Sequence, residues 1–223
     1  LLRHSPCRCA CKLAYGQCSY LRTINSDGKV HVCFLASKSR VLPLNKSVTT
    51  PRAELQAAVL SCKLAENLKA DLRLEKLDQE VFWCDSTVVL GYIKNRQKRF
   101  HTYVSNRVQQ IHDLSIDKQW IYVTSDTNPA DIASRGTSIG GLTSSMWFDG
   151  PKFLWNADIS DMLKPTHYEL PADDPEVITT SHAIQTEKKF SINHRLEIFS
   201  TLKSAIRGVC FIQDKILTKK NLT

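Results

Sequence analysis

Val81-Phe82-Trp83-Cys84-Asp85-Ser86-Thr87 decides how the chain is read. Four apolar residues in a row, closed by a carboxylate and two hydroxyls, fit a short central strand buried on both faces. A helix from about Thr87 to Asn95 follows it, so Asp85 stands at the carboxyl end of a strand, the kind of position where active sites form. Upstream, Thr50 offers a helix N-cap with Pro51 at the first helical position, and Leu55, Ala58, Val59, Cys62, Ala65 and Leu68 recur at helical spacing. This predicts a helix over 51–70. Before it, 7–11, 16–24 and 29–36 read as extended segments, the last two joined by a Ser26-Asp27-Gly28 turn. Downstream come a helix over 103–115 carrying Val104, Val108, Ile111 and Leu114, a strand at Trp120-Ile121-Tyr122-Val123, and a turn or short helix opened by Asn128-Pro129-Ala130-Asp131. Hairpins followed by alternating helices and strands favour an α/β domain with a mixed sheet and helices packed on it.

The chain has 223 residues, enough for one sizeable domain and a tail without disulfide staples. A hydrophobic share of 42% with 23% charged residues is ordinary for a globular protein. No apolar run reaches the roughly 20 residues of a membrane helix, so no membrane partner is expected. Thirty lysines and arginines against 22 aspartates and glutamates give a net charge of +8, which suits a phosphate-bearing partner. None of the eight cysteines forms a Cys-x-x-Cys pair, and no signal peptide pattern opens the chain, so an intracellular site, cytoplasm or nucleus, is expected. Cys7, Cys9 and Cys11 alternate with His4 upstream, but structural zinc usually takes ligands from turns. Leu1 opens the chain and Met146 and Met162 are its only methionines, as expected of a piece of something longer. Residues 157–189 lack periodicity and carry Pro165, Pro171, Asp173, Asp174 and Pro175, which reads as a linker; an amphipathic helix follows within 190–223.

Glu54 in the first helix, Asp85 after the apolar strand and Asp131 beside the last turn form an ordered set of carboxylates. Brought together, they could not all ionise unless cations neutralised them, and hard divalent ions such as magnesium (or manganese) are the natural partners. Two such ions about 4 Å apart catalyse in-line phosphoryl transfer, which implies phosphodiester hydrolysis. Taken singly, each acidic residue has a simpler reading as a cap or a helix N-terminal charge. A basic stretch, Lys94, Arg96, Lys98, Arg99 and Arg107, could contact a phosphate backbone, with Phe100 or Tyr103 available to stack; a solvated helix end and loop is the plainer alternative. The tryptophans at 83, 120, 147 and 155 read as packing residues. No histidine occurs between His112 and His167, which leaves Asp126 as the nearest titratable group to Asp131 for moving a proton.

Three strings carry a resemblance: Pro51-Arg52-Ala53-Glu54-Leu55, Trp83-Cys84-Asp85-Ser86-Thr87 and Asn128-Pro129-Ala130-Asp131-Ile132-Ala133-Ser134-Arg135-Gly136. In this order they resemble the ribonuclease H region of BEL/Pao-type retrotransposon polyproteins. Ala14-Tyr15-Gly16, Ala36-Ser37-Lys38-Ser39-Arg40-Val41, Val104-Ser105-Asn106-Arg107-Val108 and Trp147-Phe148-Asp149-Gly150-Pro151 agree, so the likeness covers roughly 5–156 within a domain 1–156. The tail from Phe199 is similar to the helix that precedes the integrase in those polyproteins, although the integrase's His-His-Cys-Cys pattern does not occur. The resemblance implies a ribonuclease H-like fold with a five-stranded mixed sheet, reverse transcriptase and integrase regions as polyprotein neighbours, and cleavage of the RNA strand of an RNA–DNA hybrid with magnesium held by four acidic residues. Glu54, Asp85 and Asp131 match the second, third and fourth of these.

The first does not match. The family carries an Asp-Ala-Ser pattern whose aspartate lies six residues before the tyrosine of Ala-Tyr-Gly; counting back from Tyr15 lands on Cys9, in Cys9-Ala10-Cys11. A thiol is a poor ligand for magnesium and is mostly protonated near neutral pH. The expectation is therefore a domain that keeps the fold and is crippled as a nuclease, or a binding remnant that holds nucleic acid or a protein without cutting. Aspartic peptidase chemistry, another activity of such polyproteins, needs Asp-Thr-Gly or Asp-Ser-Gly, and neither tripeptide occurs.

Overall fold

A computed structural model describes residues 2–10, 13–43, 48–74, 77–164, 168–171, 173–179 and 206. Strands β1 (Leu2–Ala10), β2 (Ala14–Ile24) and β3 (Val30–Val41) form an antiparallel meander, and helix α1 (Thr50–Asp71) follows. Next come β4 (Gln79–Glu80), β5 (Phe82–Cys84), α2 (Thr87–Lys94), α3 (Thr102–Leu114), β6 (Trp120–Tyr122), α4 (Ala130–Arg135) and α5 (Ile139–Thr143). The sheet order is β3-β2-β1-β5-β6, with β4 beside β1, and β1, β5 and β6 run parallel. Six strands appear where the resemblance implies five, because the segment 79–84 is broken at Val81 into two short pieces. The fold is mixed α/β, as expected.

The local signals act as the residues suggest. Gly28, at φ 77°, sits in the left-handed conformation that the β2–β3 turn requires. The Ser86 hydroxyl accepts a hydrogen bond from the Val89 N–H at 3.3 Å and starts α2, so Asp85 is not the cap. At α1 the cap falls one residue earlier than the sequence suggests: Thr49 holds the position, its carbonyl accepting from the Ala53 N–H at 3.0 Å, and its hydroxyl makes no capping bond.

Alternation along β5 divides the core. Phe82 and Cys84 face the layer of α1, α2 and α3, where Phe82 stacks on Trp120 at 4.6 Å among Leu55, Leu90 and Ile111. Trp83 faces the opposite layer, meeting Phe153 at 4.8 Å with Tyr20, Ile121, Ala130 and Leu154 around it. Trp83, Trp120 and Trp147 are buried as read; Trp155 is half exposed, its indole N–H donating to the Asp149 carbonyl at 2.8 Å. Arg22 is fully buried on the Trp83 side, and its guanidinium donates to the carbonyls of Leu154 (2.7 Å), Asn156 (2.5 Å) and Ala157 (3.2 Å), fastening the chain beyond Pro151 to the sheet.

The stretch 157–189 is not a free linker in its described part. Leu170, Asp174 and Glu176 are buried, and Val177 bridges to Phe100. Pro171 and Asp174 serve a turn here, and Asp174 and Glu176 find partners in Tyr92 and Arg52 on the helices, which composition alone cannot distinguish from a solvated segment. The chain divides into two units, Leu1–Thr179 and Thr180–Thr223, and every element named above lies in the first. The helix expected within 190–223 lies outside the described residues, apart from Ile206. Among the described residues no helix is long and apolar enough to cross a membrane.

Candidate functional site

The site is built around the carboxyl end of β1. Its last pairs with β5 are Cys7 with Trp83 and Arg8 with Cys84, so Cys9 and Asp85 each stand one residue beyond the paired ends of two parallel neighbours. On the other side Cys9 pairs with Gly16 of β2. Helices α1 and α4 both pack against β1 and β2. In α1, Ala53 and Ala57 share a buried cluster with Tyr15, which sets Glu54 in the turn beside that end of the sheet. Helix α4 approaches so closely that a Cβ on Gly16 would lie 2.7 Å from the Ala133 Cβ and 3.0 Å from its carbonyl carbon. The glycine of Ala14-Tyr15-Gly16 is therefore the seat of the helix that carries Asp131.

Gly16→Ala should push α4 away from β2 and destabilise the fold by about 1–3 kcal/mol, because the Ala133 Cβ and backbone, which cannot swing aside as the end of a long side chain could, occupy the space. A urea unfolding midpoint equal to that of the unaltered chain would show that α4 is not seated on Gly16.

The carboxylates have different surroundings. Glu54 lies beyond the first turn of α1, which holds no acidic residue, and Asp85 precedes the Ser86 cap, so neither is explained as a cap or an N-terminal charge. Asp131 does lie in the first turn of α4, and Arg135 reaches its Oδ1 at 2.7 Å, one helical turn on. The sequence reading overlooked this partner, although the i,i+4 spacing inside the motif signals it. Asp131 also lines an open cleft of about 590 Å³ with Asp126, Asn128, Asp149, Lys152 and Trp155, so Asp126 shares a cleft with it as the sequence order suggested. Among the described residues, no group of three or more histidine, cysteine, aspartate or glutamate side chains is placed to hold a metal ion. Oxygen donors of the type magnesium prefers stand on the elements around β1, yet these side chains do not form a metal cage.

The basic stretch separates into two kinds of cation. Arg107 lies on the Tyr103 ring at 3.5 Å and donates to Gln56 Oε1 at 2.9 Å, with Arg52 on the same ring at 4.9 Å; this is packing between α1 and α3. Lys94 is half buried with its ammonium 5.2 Å from the Tyr168 ring centroid, and burial lowers its pKa against the opposing charge of Asp117. Arg96, Lys98 and Arg99 are exposed on the 95–101 loop, Arg96 with Asp117 at 4.0 Å. Phe100 packs on Tyr92 at 5.2 Å and Tyr103 carries the arginines, so both rings serve packing.

A mixed α/β domain whose central strand β5 ends one residue before Asp85, with β1, β5 and β6 parallel, is the class that the fold defines. Residues 7–86 match the family model described as the Pao retrotransposon-like RNaseH-like domain, so over this stretch the resemblance read from the motifs is borne out. The match takes in Cys9, Glu54 and Asp85 and ends before Asp131. Among solved structures, the chain is similar to the N-terminal RNase H domain of Rv2228c from Mycobacterium tuberculosis, solved as a fusion with maltose binding protein, at 15% identity and TM-score 0.39, covering 57% of this chain and 86% of that one. It is also similar to RNase H1 from the halophilic archaeon Halobacterium salinarum, at 14% identity and TM-score 0.36, covering 57% and 88%. No curated protein matches the chain.

Proposed function

We propose that the chain binds RNA–DNA hybrids through a ribonuclease H-like domain of a BEL/Pao-type retrotransposon polyprotein, and that its cleavage of the RNA strand is crippled because Cys9 stands where the first metal-holding aspartate belongs. The observation that supports this reading is the register of β1 with β5, which ends at Arg8 and Cys84 and so leaves Cys9 and Asp85 each one residue beyond the paired ends. Glu54, Asp85 and Asp131 are the residues that would hold magnesium or manganese, which would activate a water and stabilise the leaving oxygen. With three oxygen donors and a thiol the set does not fit a magnesium site, and no catalytic step is assigned to it. The reading as a binder that does not cut draws support from Arg135, which supplies Asp131 with a cation of its own.

Binding is tested by fluorescence anisotropy of a labelled hybrid at several salt concentrations. Arg96, Lys98 and Arg99 are the solvent-exposed cations of the stretch, so replacing all three by alanine should weaken binding and flatten the log–log salt slope by about one for each phosphate that is no longer neutralised. Arg107→Ala should lower stability and leave the slope as it is, since its guanidinium is committed to Tyr103 and Gln56. An unchanged slope in the triple variant would remove the loop from the interface.

A further inference from the structure

We infer that residues 168–171 and 173–179 form a strap that holds the nucleic-acid-facing loop 95–101 against the start of α1, with Glu176 as the positioning residue; the inference rests on the proposed binding of nucleic acid. Glu176 acts at two places at once. Its carboxylate accepts from Arg52 through both oxygens, at 2.5 and 3.0 Å, and its backbone carbonyl accepts from the His101 N–H at 2.9 Å. One residue thus joins the first turns of α1, two positions from Glu54, to the end of the basic loop. Asp174 holds Glu176 in place: it accepts from the Glu176 N–H at 2.9 Å and from the Tyr92 hydroxyl at 3.1 and 3.0 Å. Val177 bridges Phe100 in antiparallel fashion, and the Ile178 N–H donates to the Arg99 carbonyl at 2.8 Å.

The strap also shapes the surface on which the cations stand. Leu170 seats so closely on Gly91 that a Cβ there would lie 2.7 Å from Leu170 Cδ2. Beside this point an open cleft of about 430 Å³ is lined by Lys94, Arg96 and Lys98 on the loop side and by Tyr168 and Leu170 on the strap side. A second cleft of about 390 Å³ has Arg96, Arg99 and His112 on one side and Ile178 on the other. Arg96, Lys98 and Arg99 sit on a loop with no regular secondary structure of its own, and the strap fixes its backbone. A loop fixed before binding loses less conformational entropy when it meets a phosphodiester backbone, so the strap raises affinity without touching the ligand.

The sign of the effect separates this from simple charge. Removing an acidic residue next to a polyanion site strengthens binding if only long-range electrostatics matters. In the full chain, Glu176→Gln is expected to weaken hybrid binding by about fivefold or more, the lower range of a coupling between sites, and to flatten the salt slope. The exchanged pair Arg52→Glu with Glu176→Arg should regain most of the affinity, and hydrogen exchange of the His101 amide should rise in the single variant and return in the pair. A fall in the urea midpoint with affinity and slope unchanged would reduce the strap to a structural role and overturn the inference. If the unaltered chain does not bind the hybrid, the proposed binding falls and the inference with it; if it binds and Glu176→Gln binds as tightly or more so, the inference alone falls.

Discussion

A chain cut after Lys164 is expected to unfold at a urea concentration about 2 M below that of the full chain, because it lacks the whole of the strap. Leu170 is 9% exposed, and giving up its burial costs about 2 kcal/mol. Tyr92 and Asp174 form a buried hydrogen bond involving a carboxylate, and Arg52 with Glu176 adds a two-pronged pair, each contributing roughly 1.5–3 kcal/mol. Together the loss is on the order of 5 kcal/mol, which at a typical urea dependence gives the stated shift and approaches the total stability of many domains. Tyr92, left without Asp174, would still be buried against the core with an unanswered hydroxyl; in the complete chain burial first, then Asp174, raises its pKa and keeps it a donor. A chain ending at Thr179 should match the full chain. Equal midpoints for the 164 and 179 chains would mean that the strap adds nothing to the domain.

What could be read from the sequence was what is encoded locally. The apolar run 81–84, the helix spacing from Leu55 to Leu68 and the Asp27-Gly28 turn each act within a few residues, and each stands near its expected place. The places of Asp85 just after a strand and of Asp131 in the first turn of a short helix are local in the same way. The strap was not legible because its partners are far along the chain. Arg52 and Glu176 are 124 residues apart, Tyr92 and Asp174 are 82 apart, and a run of prolines and aspartates looks alike whether solvated or docked. Tertiary packing likewise separated Arg107, stacked on Tyr103, from Arg96, Lys98 and Arg99, although all lie in one basic run. Gly16 could be recognised as part of a string, but only the approach of Ala133 gives it a reason.

The largest expected effect follows from restoring the missing carboxylate. On the proposed reading, Cys9→Asp puts an acidic residue one position beyond the paired end of β1, as Asp85 is one position beyond that of β5, and would complete a set of four with Glu54 and Asp131. Without a cation these charges repel one another, so the variant should be less stable than the unaltered chain in chelator and should gain stability on adding magnesium. The unaltered chain should show little response, since a thiol offers magnesium no useful ligand. Thermal unfolding with and without magnesium checks this without reference to activity. The gain in cleavage should be at least about 100-fold, the size of effect seen when one preorganised electrostatic group is removed from an active site.

The most direct test is therefore magnesium-dependent cleavage of a labelled RNA–DNA hybrid by the unaltered chain and by Cys9→Asp, with the fold of both checked by circular dichroism. The expected result is that both fold and only Cys9→Asp cuts the RNA strand. Cleavage by the unaltered chain at a comparable rate would contradict the role assigned to Cys9, and absence of cleavage by a well-folded Cys9→Asp chain would contradict the assignment of Glu54, Asp85 and Asp131 as its partners.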